Sequence, residues 1–280
     1  MTLKELKTKF REFSFWPRKR LGQNFLVDEK ISERIAGLLG EGKDPVIEIG
    51  GGFGSLTEFL VKRSGSLYVL EVDPALHAFL VKRFEGSGLI LEKKDILRTS
   101  FKEYCRQPGD KISIIGNLPY AITSPILLHL IEQREFLREA VITVQQEVAE
   151  RLTARPRTKA YGSLSCFVQC FTDCRSQFNI PPSAFYPVPE VNSEVVRLRF
   201  LETPRVSPKN LEFMQRVIRT GFGKRRKTLA NALTDLGEPF SKEFLFELFR
   251  DLGFSEKARA EELALEEFAR LSDRLIDFIP

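Results

Sequence analysis

Apolar and polar positions follow two rhythms along the chain, and each rhythm predicts one kind of element. Short apolar runs of four to eight residues, rich in Ile, Val and Leu, predict buried strands, whereas apolar residues spaced three and four apart predict helices. The strand pattern covers residues 45–50, 66–73, 88–95, 111–117 and the start of 139–152. The helix pattern covers residues 29–39, 55–63, 74–84, 101–105, 124–133 and the end of 139–152. Strands that alternate with helices at this spacing predict an α/β fold with a mostly parallel sheet covered on both faces.

The pattern changes in the second half of the chain. Residues 159–200 contain two strand patterns around a proline-rich loop, which predicts an antiparallel hairpin at the sheet edge. Residues 201–210 have the polar, proline-containing composition of a linker, and only helical patterns follow. We therefore expect an α/β domain over residues 1–200 and a small all-helical domain over 201–280. The polar residues 1–16 are expected to be mobile.

The charge of the chain and its distribution suggest a class of binding partner. The 280 residues include 43 Lys and Arg against 38 Asp and Glu, a net charge of +5, and the pI is about 9.0. Basic residues concentrate between positions 4 and 20 and again at 224–227, a distribution that favours a polyanion such as nucleic acid. No apolar run is long enough for a membrane span or a signal peptide, so we expect a soluble, cytoplasmic protein without a membrane partner.

Cysteine spacing does not indicate a metal site. Cys166, Cys170 and Cys174 recur every four residues, but the chain has no CxxC pair, and its only histidines are His77 and His129. The surrounding SLSCFVQCF is rich in residues that favour strands, and even spacing places all three thiols on one strand face. We interpret them as buried structural thiols.

A glycine-rich loop follows the first predicted strand. EIGGGFG has glycines at 50, 52 and 54, and Ser55 stands where a dinucleotide-binding GxGxxG motif needs its third glycine. Glu71 ends the next strand, where a carboxylate can bind both ribose hydroxyls, and Asp95 ends the following one, where it suits an adenine amine. This arrangement favours S-adenosylmethionine over NAD, since nothing in it requires a helix N-terminus aimed at a pyrophosphate. Glu48 either touches the methionine part of the ligand or caps the glycine loop.

The fourth strand end carries Asn117, Leu118, Pro119 and Tyr120, which we interpret as the catalytic residues. Methyl transfer to an aromatic amine requires the nitrogen lone pair to be drawn out of conjugation with the ring. The Asn117 side-chain oxygen and a backbone carbonyl fixed by Pro119 can each accept one amine hydrogen and direct that lone pair at the methyl group. Tyr120 can stack on the base, and an extruded base is normally held between two flat surfaces. The proline-rich loop offers Phe185 or Tyr186 for the opposite face of the base, and we predict Phe185.

Ordered motifs over nearly the whole chain resemble those of the small-subunit ribosomal RNA adenine N6,N6-dimethyltransferases. They are LGQNFL (21–26), EIGGGFGSLT (48–57), LEVD (70–73), KKDIL (93–97), NLPY (117–120), QQEVAERL (145–152), KAYGSLS (159–165), FYPVPEVNSEVVRL (185–198) and FGKRRKTLANAL (222–233). The resemblance implies a Rossmann-like class I methyltransferase sheet and a cofactor site made by Gln23, Asn24, Leu26, Gly50, Gly52, Glu71, Asp95, Ile96 and Asn117. It implies RNA contacts through Arg18, Lys19, Arg20, Lys159, Lys224, Arg225, Arg226 and Lys227.

The same resemblance implies a reaction and a partner. S-adenosylmethionine would donate two methyl groups to each of two adjacent adenines in the 3′-terminal hairpin of small-subunit rRNA, within an immature 30S subunit, and the enzyme would act as a monomer. Two positions depart from the family pattern. Gly51 stands where proline is usual, which is expected to loosen the glycine loop, and Ser163 stands where arginine is common, which is expected to remove an RNA contact.

Two other functions compete with this one. A macrolide-resistance type enzyme methylates an adenine of large-subunit rRNA with a similar pocket, but NLPY and the FGKRRKT element in a longer helical tail favour the small subunit. A non-catalytic ribosome assembly factor would keep the fold without turnover, but every pocket residue named here is chemically intact. Ser55 argues against a NAD-dependent oxidoreductase.

Overall fold

The computed structural model describes residues 3–12, 23–39, 44–224 and 226–279. Its strands are β1 (Phe25–Leu26), β2 (Val46–Ile49), β3 (Leu67–Leu70), β4 (Ile90–Glu92), β5 (Ile112–Asn117), β6 (Leu137–Gln145), β7 (Thr172–Ile180), β8 (Phe185–Tyr186) and β9 (Ser193–Phe200). Its α-helices are α1 (Leu3–Glu12), α2 (Glu29–Ala36), α3 (Thr57–Leu60), α4 (Pro74–Arg83), α5 (Thr123–Glu132), α6 (Gln146–Thr153), α7 (Ser163–Phe171), α8 (Leu211–Gly223), α9 (Leu229–Leu233), α10 (Lys242–Leu252) and α11 (Leu265–Leu275).

Seven strands form the main sheet, in the order β4-β3-β2-β5-β6-β9-β7. The first five of these pair in parallel, and β9 runs antiparallel to β6. All four residues of β2 are buried, as expected of a strand covered on both faces. The parallel pairing brings the carboxyl ends of β2, β3 and β5 to one edge of the sheet. The predicted α/β fold with an antiparallel edge is confirmed.

The cysteine-containing segment is a helix, so its assignment to a strand was wrong. Residues 163–171 form α7, which carries Cys166 and Cys170, while Cys174 lies in β7. Leu164, Phe167, Val168 and Phe171 recur at the spacing of one helix face, and this period outweighs the strand preference of the individual residues.

The first helix was not predicted. Instead of a mobile leader, residues 3–12 form α1, whose Leu6 and Phe10 are buried one turn apart in the core. The Phe10 ring packs on those of Phe25 and Phe53, with centroids 5.8 and 5.2 Å away. The spacing of four between Leu6 and Phe10 places both on one face, which explains how so polar a segment packs against the core.

The chain divides into two compact units. One contains the described residues up to Ala149 together with Asp173–Phe200, and the other contains Glu150–Thr172 together with the described residues from Leu201 onward. The domain boundary predicted at residue 200 differs from this division in one respect: residues 150–172 belong to the unit that contains the C-terminal helices. Within this helical unit, Arg219 of α8 lies over the Phe167 ring of α7, 5.2 Å from its centroid. Among the described residues, no helix is both long and apolar enough to span a membrane.

Candidate cofactor and active site

The loop between β2 and α3 turns on three glycines. Gly50, Gly52 and Gly54 have φ values of 73°, 55° and 79°, in the left-handed region that side chains disfavour. The turn aims the Gly52 N–H at Glu71, whose Oε2 accepts its hydrogen bond at 2.9 Å. The predicted glycines are therefore required by the backbone, and the loop is tied to the next strand end.

Gly51 shows how the loop adapts to its departure from proline. A Cβ at this position would lie 2.5 Å from Cγ1 of Val69 and 2.9 Å from Cδ1 of Leu80. These two side chains fill the space that a ring at position 51 would need. The side chains of Val69 and Leu80 therefore restrict the loop at Gly51, where a proline ring would otherwise do so.

Glu71 is a buried acid with both oxygens engaged. Only 4% of the residue is exposed, and Oε1 accepts a hydrogen bond from the Asp73 N–H at 2.9 Å. Burial raises the pKa of this carboxyl, although the N–H groups of Asp73 and Gly52 oppose the rise. Each carboxylate oxygen can accept a second hydrogen bond, so Glu71 can still bind hydroxyl groups of a ligand.

A pocket of about 850 Å³, including its open mouth, lies beside Glu71 at the carboxyl ends of the strands. Predicted site residues that line it are Gln23, Asn24, Gly50, Gly52, Glu71, Asp95, Ile96, Asn117, Leu118, Pro119 and Tyr120. Residues that line it but were not predicted are Phe25, Ile49, Leu70, Val72, Leu76, Lys94, Ile122 and Ile126. Val72 is 57% exposed, and its position directly after the acid at a strand end is the signal that would have found it.

A smaller cavity adjoins the main one beneath the glycine loop, and it contains Leu26 and Glu48. Glu48 is 1% exposed and accepts a hydrogen bond from the Thr57 hydroxyl at 2.7 Å. Burial raises the pKa of Glu48 to about 8, and the charge of Glu71 adds to the rise. The hydrogen bond ties β2 to α3 through Glu48 and Thr57.

Asn117 lies at the end of β5 with its amide fixed in one orientation. Its Nδ2 donates a hydrogen bond to the backbone oxygen of Asn24 at 2.7 Å. Its Oδ1 is buried and accepts no hydrogen bond from any described residue. A buried acceptor without a partner is costly, so this oxygen is positioned for a donor that a ligand brings.

Tyr120 lines the pocket, and its hydroxyl is tied to the sheet. The phenol oxygen lies 2.6 Å from Oγ of Ser193, a fully buried residue at the start of β9. Burial raises the Tyr120 pKa, so the phenol stays neutral. The carbonyl of Pro119 already accepts hydrogen bonds from the Ile122 N–H and the Thr123 hydroxyl, both at 3.1 Å. The carbonyl of Leu118, held by its peptide bond to Pro119, is therefore the candidate second acceptor.

Phe185 does not fulfil its predicted role in this structure. The residue is 1% exposed and belongs to the hydrophobic core, because β8 pairs with β1 and turns this side chain inward. The neighbouring Tyr186 is half-buried against the same core, and its ring packs on that of Phe10, with centroids 5.6 Å apart. Among the described aromatic residues, Phe25 and Tyr120 are the ones that line the pocket.

The predicted RNA-contacting residues that the structure describes lie in the helical unit. Lys159, Arg226 and Lys227 are exposed, and Lys224 forms an ion pair with Asp235 at 2.7 Å. Arg18, Lys19, Arg20 and Arg225 fall outside the described residues. The described part of the chain contains no cluster of His, Cys, Asp and Glu that fits a metal ion.

Comparison with known proteins agrees with this geometry. Residues 15–277 match the family model described as ribosomal RNA adenine dimethylase. A relative from Clostridium botulinum (strain Okra / Type B1), called ribosomal RNA small subunit methyltransferase A, is 38% identical over the whole of both chains.

Two solved structures share the fold. A dimethyladenosine transferase from Plasmodium falciparum has a TM-score of 0.72 at 26% identity, covering 90% of this chain and 96% of its own. The 23S rRNA methyltransferase ErmE has a TM-score of 0.67 at 25% identity, covering 90% and 99%. With its glycine loop, its two strand-end acids and Asn117 at one pocket, the chain belongs to the ribosomal RNA adenine dimethylase family, whose methyl donor is S-adenosylmethionine.

Proposed function

We propose that this enzyme dimethylates the N6 amines of two adjacent adenines in the 3′-terminal hairpin of small-subunit rRNA. The observation that carries the proposal is the unpartnered Oδ1 of Asn117, buried at the pocket whose walls are Glu71, Asp95 and Tyr120. An adenine amine supplies the donor that this oxygen lacks. Accepting one amine hydrogen at Asn117 and the other at the Leu118 carbonyl would localise the lone pair on the nitrogen and direct it at the methyl group.

The pocket residues fit the methyl donor. In the proposal, Glu71 binds the ribose hydroxyls, Asp95 the adenine amine, and Gly50 and Gly52 let the backbone approach the ligand closely. Asn24 is already tied to Asn117, and with Gln23 and Leu26 it covers the methionine end. When bound, S-adenosylmethionine supplies an electrophilic methyl group, and no protein base is needed because the methylated nitrogen becomes acidic.

Tyr120 provides a stacking surface for the extruded adenine. Its hydrogen bond to Ser193 restricts the ring, which leaves less rotational freedom to lose on binding. Ser193 thus acts as a positioning residue, because it touches Tyr120 instead of the base. Phe185 stays in the core, so the second flat surface is left to the RNA or to Phe25.

The small subunit is favoured as the substrate over the large one. The relative that matches over its full length at 38% identity is named for the small subunit, whereas the large-subunit enzyme ErmE is 25% identical. We infer that the enzyme acts as a cytoplasmic monomer on an immature 30S subunit. Phosphate contacts through Lys159, Lys224–Lys227 and Arg18–Arg20 would orient it on the RNA.

Methyl incorporation into purified immature small and large subunits tests the proposal. With labelled S-adenosylmethionine, the expected result is four methyl groups per small subunit, found by mass spectrometry as two adjacent dimethyladenines near the 3′ end. Incorporation into large-subunit rRNA instead would overturn the choice of substrate. RNA binding without any methyl transfer would leave only the assembly-factor role.

A further inference from the structure

Two basic turns, distant in sequence, are anchored on one short segment of the helical unit. The N–H of Arg157 donates to the carbonyl of Glu261 at 2.7 Å, and the N–H of Leu229, directly after the turn residues 226–228, donates to the carbonyl of Ala258 at 2.7 Å. The two acceptors are three residues apart, so at most about 11 Å of chain separates them. Tyr161 adds a second link through its edge-to-face contact with Phe222, with ring centroids 6.0 Å apart.

The cations on these turns are not neutralised by the protein. Arg155 and Arg157 on the first turn, Arg226 and Lys227 on the second, and Lys257 beside Ala258 are all exposed. None of these five side chains forms an ion pair or hydrogen bond with another residue in the described chain. By contrast, Lys224 on the same turn is paired with Asp235.

Arg157 has a backbone conformation that arginine rarely adopts. Its φ is 69°, and it is the one non-glycine residue with a positive φ in the described chain. Glycine and asparagine occupy this region at low cost, whereas a long side chain such as arginine does so rarely. A charged, exposed residue in a conformation that it disfavours indicates that its side chain serves a function.

We propose that Arg155 and Arg157 join Arg226, Lys227 and Lys257 in one phosphate-binding surface that contacts the sugar-phosphate backbone of the substrate RNA. The inference rests on the proposed function, since it takes the same RNA as the ligand. Unpaired guanidinium groups are suited to bidentate phosphate contacts.

The salt dependence of RNA binding tests the surface. The full-length protein is titrated with a synthetic RNA of the two-adenine hairpin between 50 and 300 mM KCl, with the variant Arg155→Gln/Arg157→Gln beside wild type. Each lost phosphate contact should flatten the slope of log affinity against log salt by about 0.7–0.9. The control variant Lys209→Gln/Arg274→Gln removes the same charge from cations already paired with acids, at 2.7 and 4.0 Å, and should leave the slope unchanged. Equal slopes for wild type and Arg155→Gln/Arg157→Gln would overturn the proposal.

A second variant separates function from folding. Arg157→Asn relieves the backbone strain, so its melting temperature should rise by about 2–4 °C while its RNA affinity falls. An unchanged or lower melting temperature, or an undiminished affinity, would overturn the role given to Arg157. If wild type fails to methylate small-subunit rRNA but the slopes still differ as expected, the proposed function fails and the RNA-binding surface stands.

Discussion

Replacing Glu48 by glutamine should change how the stability of the protein depends on pH. Glu48 is fully buried, and burial raises its pKa in the folded protein to about 8, against 4.5 for an exposed glutamate. Between these two pH values the folded protein keeps the proton and the unfolded chain does not, so raising the pH favours unfolding. Below pH 4.5 both states hold the proton, and above pH 8 neither does, so the change is confined to this window.

The size of the effect follows from the pKa interval. Stability should fall by about 1.4 kcal/mol for each pH unit in the window, a total of about 5 kcal/mol. Glutamine cannot titrate, and its side-chain oxygen can still accept the hydrogen bond from Thr57. The free energy of unfolding of Glu48→Gln minus that of wild type should therefore increase steadily from pH 5 to pH 8 and then level off.

Urea titrations followed by circular dichroism at half-unit pH intervals measure this difference. Glu85→Gln is a matched control, because it removes a carboxyl group that is exposed to solvent. A difference between Glu48→Gln and wild type that stays constant from pH 5 to pH 8 would refute the reasoning. It would mean that Glu48 is ionised in the folded protein and that its burial is compensated by its partners.

Three further substitutions examine the site. Asn117→Ala should lower kcat by about 10²–10³-fold while RNA affinity stays within twofold, and methylation near the wild-type rate would contradict its role. Ser193→Ala and Tyr120→Phe remove the two ends of one hydrogen bond, so the double variant should be no slower than the worse single variant, whereas additive losses would show independent roles. Gly51→Ala should reduce the free energy of unfolding by about 1–3 kcal/mol because its Cβ overlaps β3. Gly65→Ala, where a Cβ meets nothing within 4 Å, is the control, and equal melting temperatures for the two would refute the overlap.

The sequence predicted those site residues that end a parallel strand. Gly50 and Glu71 directly follow the buried strands β2 and β3, and Asn117 is the last residue of β5. Asp95 lies three residues after the partly exposed strand β4, and parallel pairing brings all four positions to one edge of the sheet. This prediction did not require the order of the strands, because all strands of a parallel sheet have their carboxyl ends at the same edge. This explains why residues 67 positions apart in the chain, from Gly50 to Asn117, were assigned to one pocket.

Residues whose role depends on which face they present were harder to predict. Phe185 and Tyr186 are adjacent aromatic residues on a short strand, and the sequence does not show that Phe185 is fully buried while Tyr186 stays half-buried. The same limit applies to Val72, whose exposure depends on where β3 ends. Helix α7 was missed because residue preferences and apolar spacing disagreed over the same nine residues, and packing in the helical unit followed the spacing.

Three buried polar side chains lie near the glycine loop, at the carboxyl ends of β2, β3 and β5. Glu48 and Glu71 are both buried with raised pKa values, and the nearby Oδ1 of Asn117 lacks a partner. A cationic ligand in the pocket favours the ionised form of each acid, and a donor satisfies the amide oxygen. Ligand binding therefore gains part of its free energy by supplying the donor that the Asn117 oxygen lacks among the described residues.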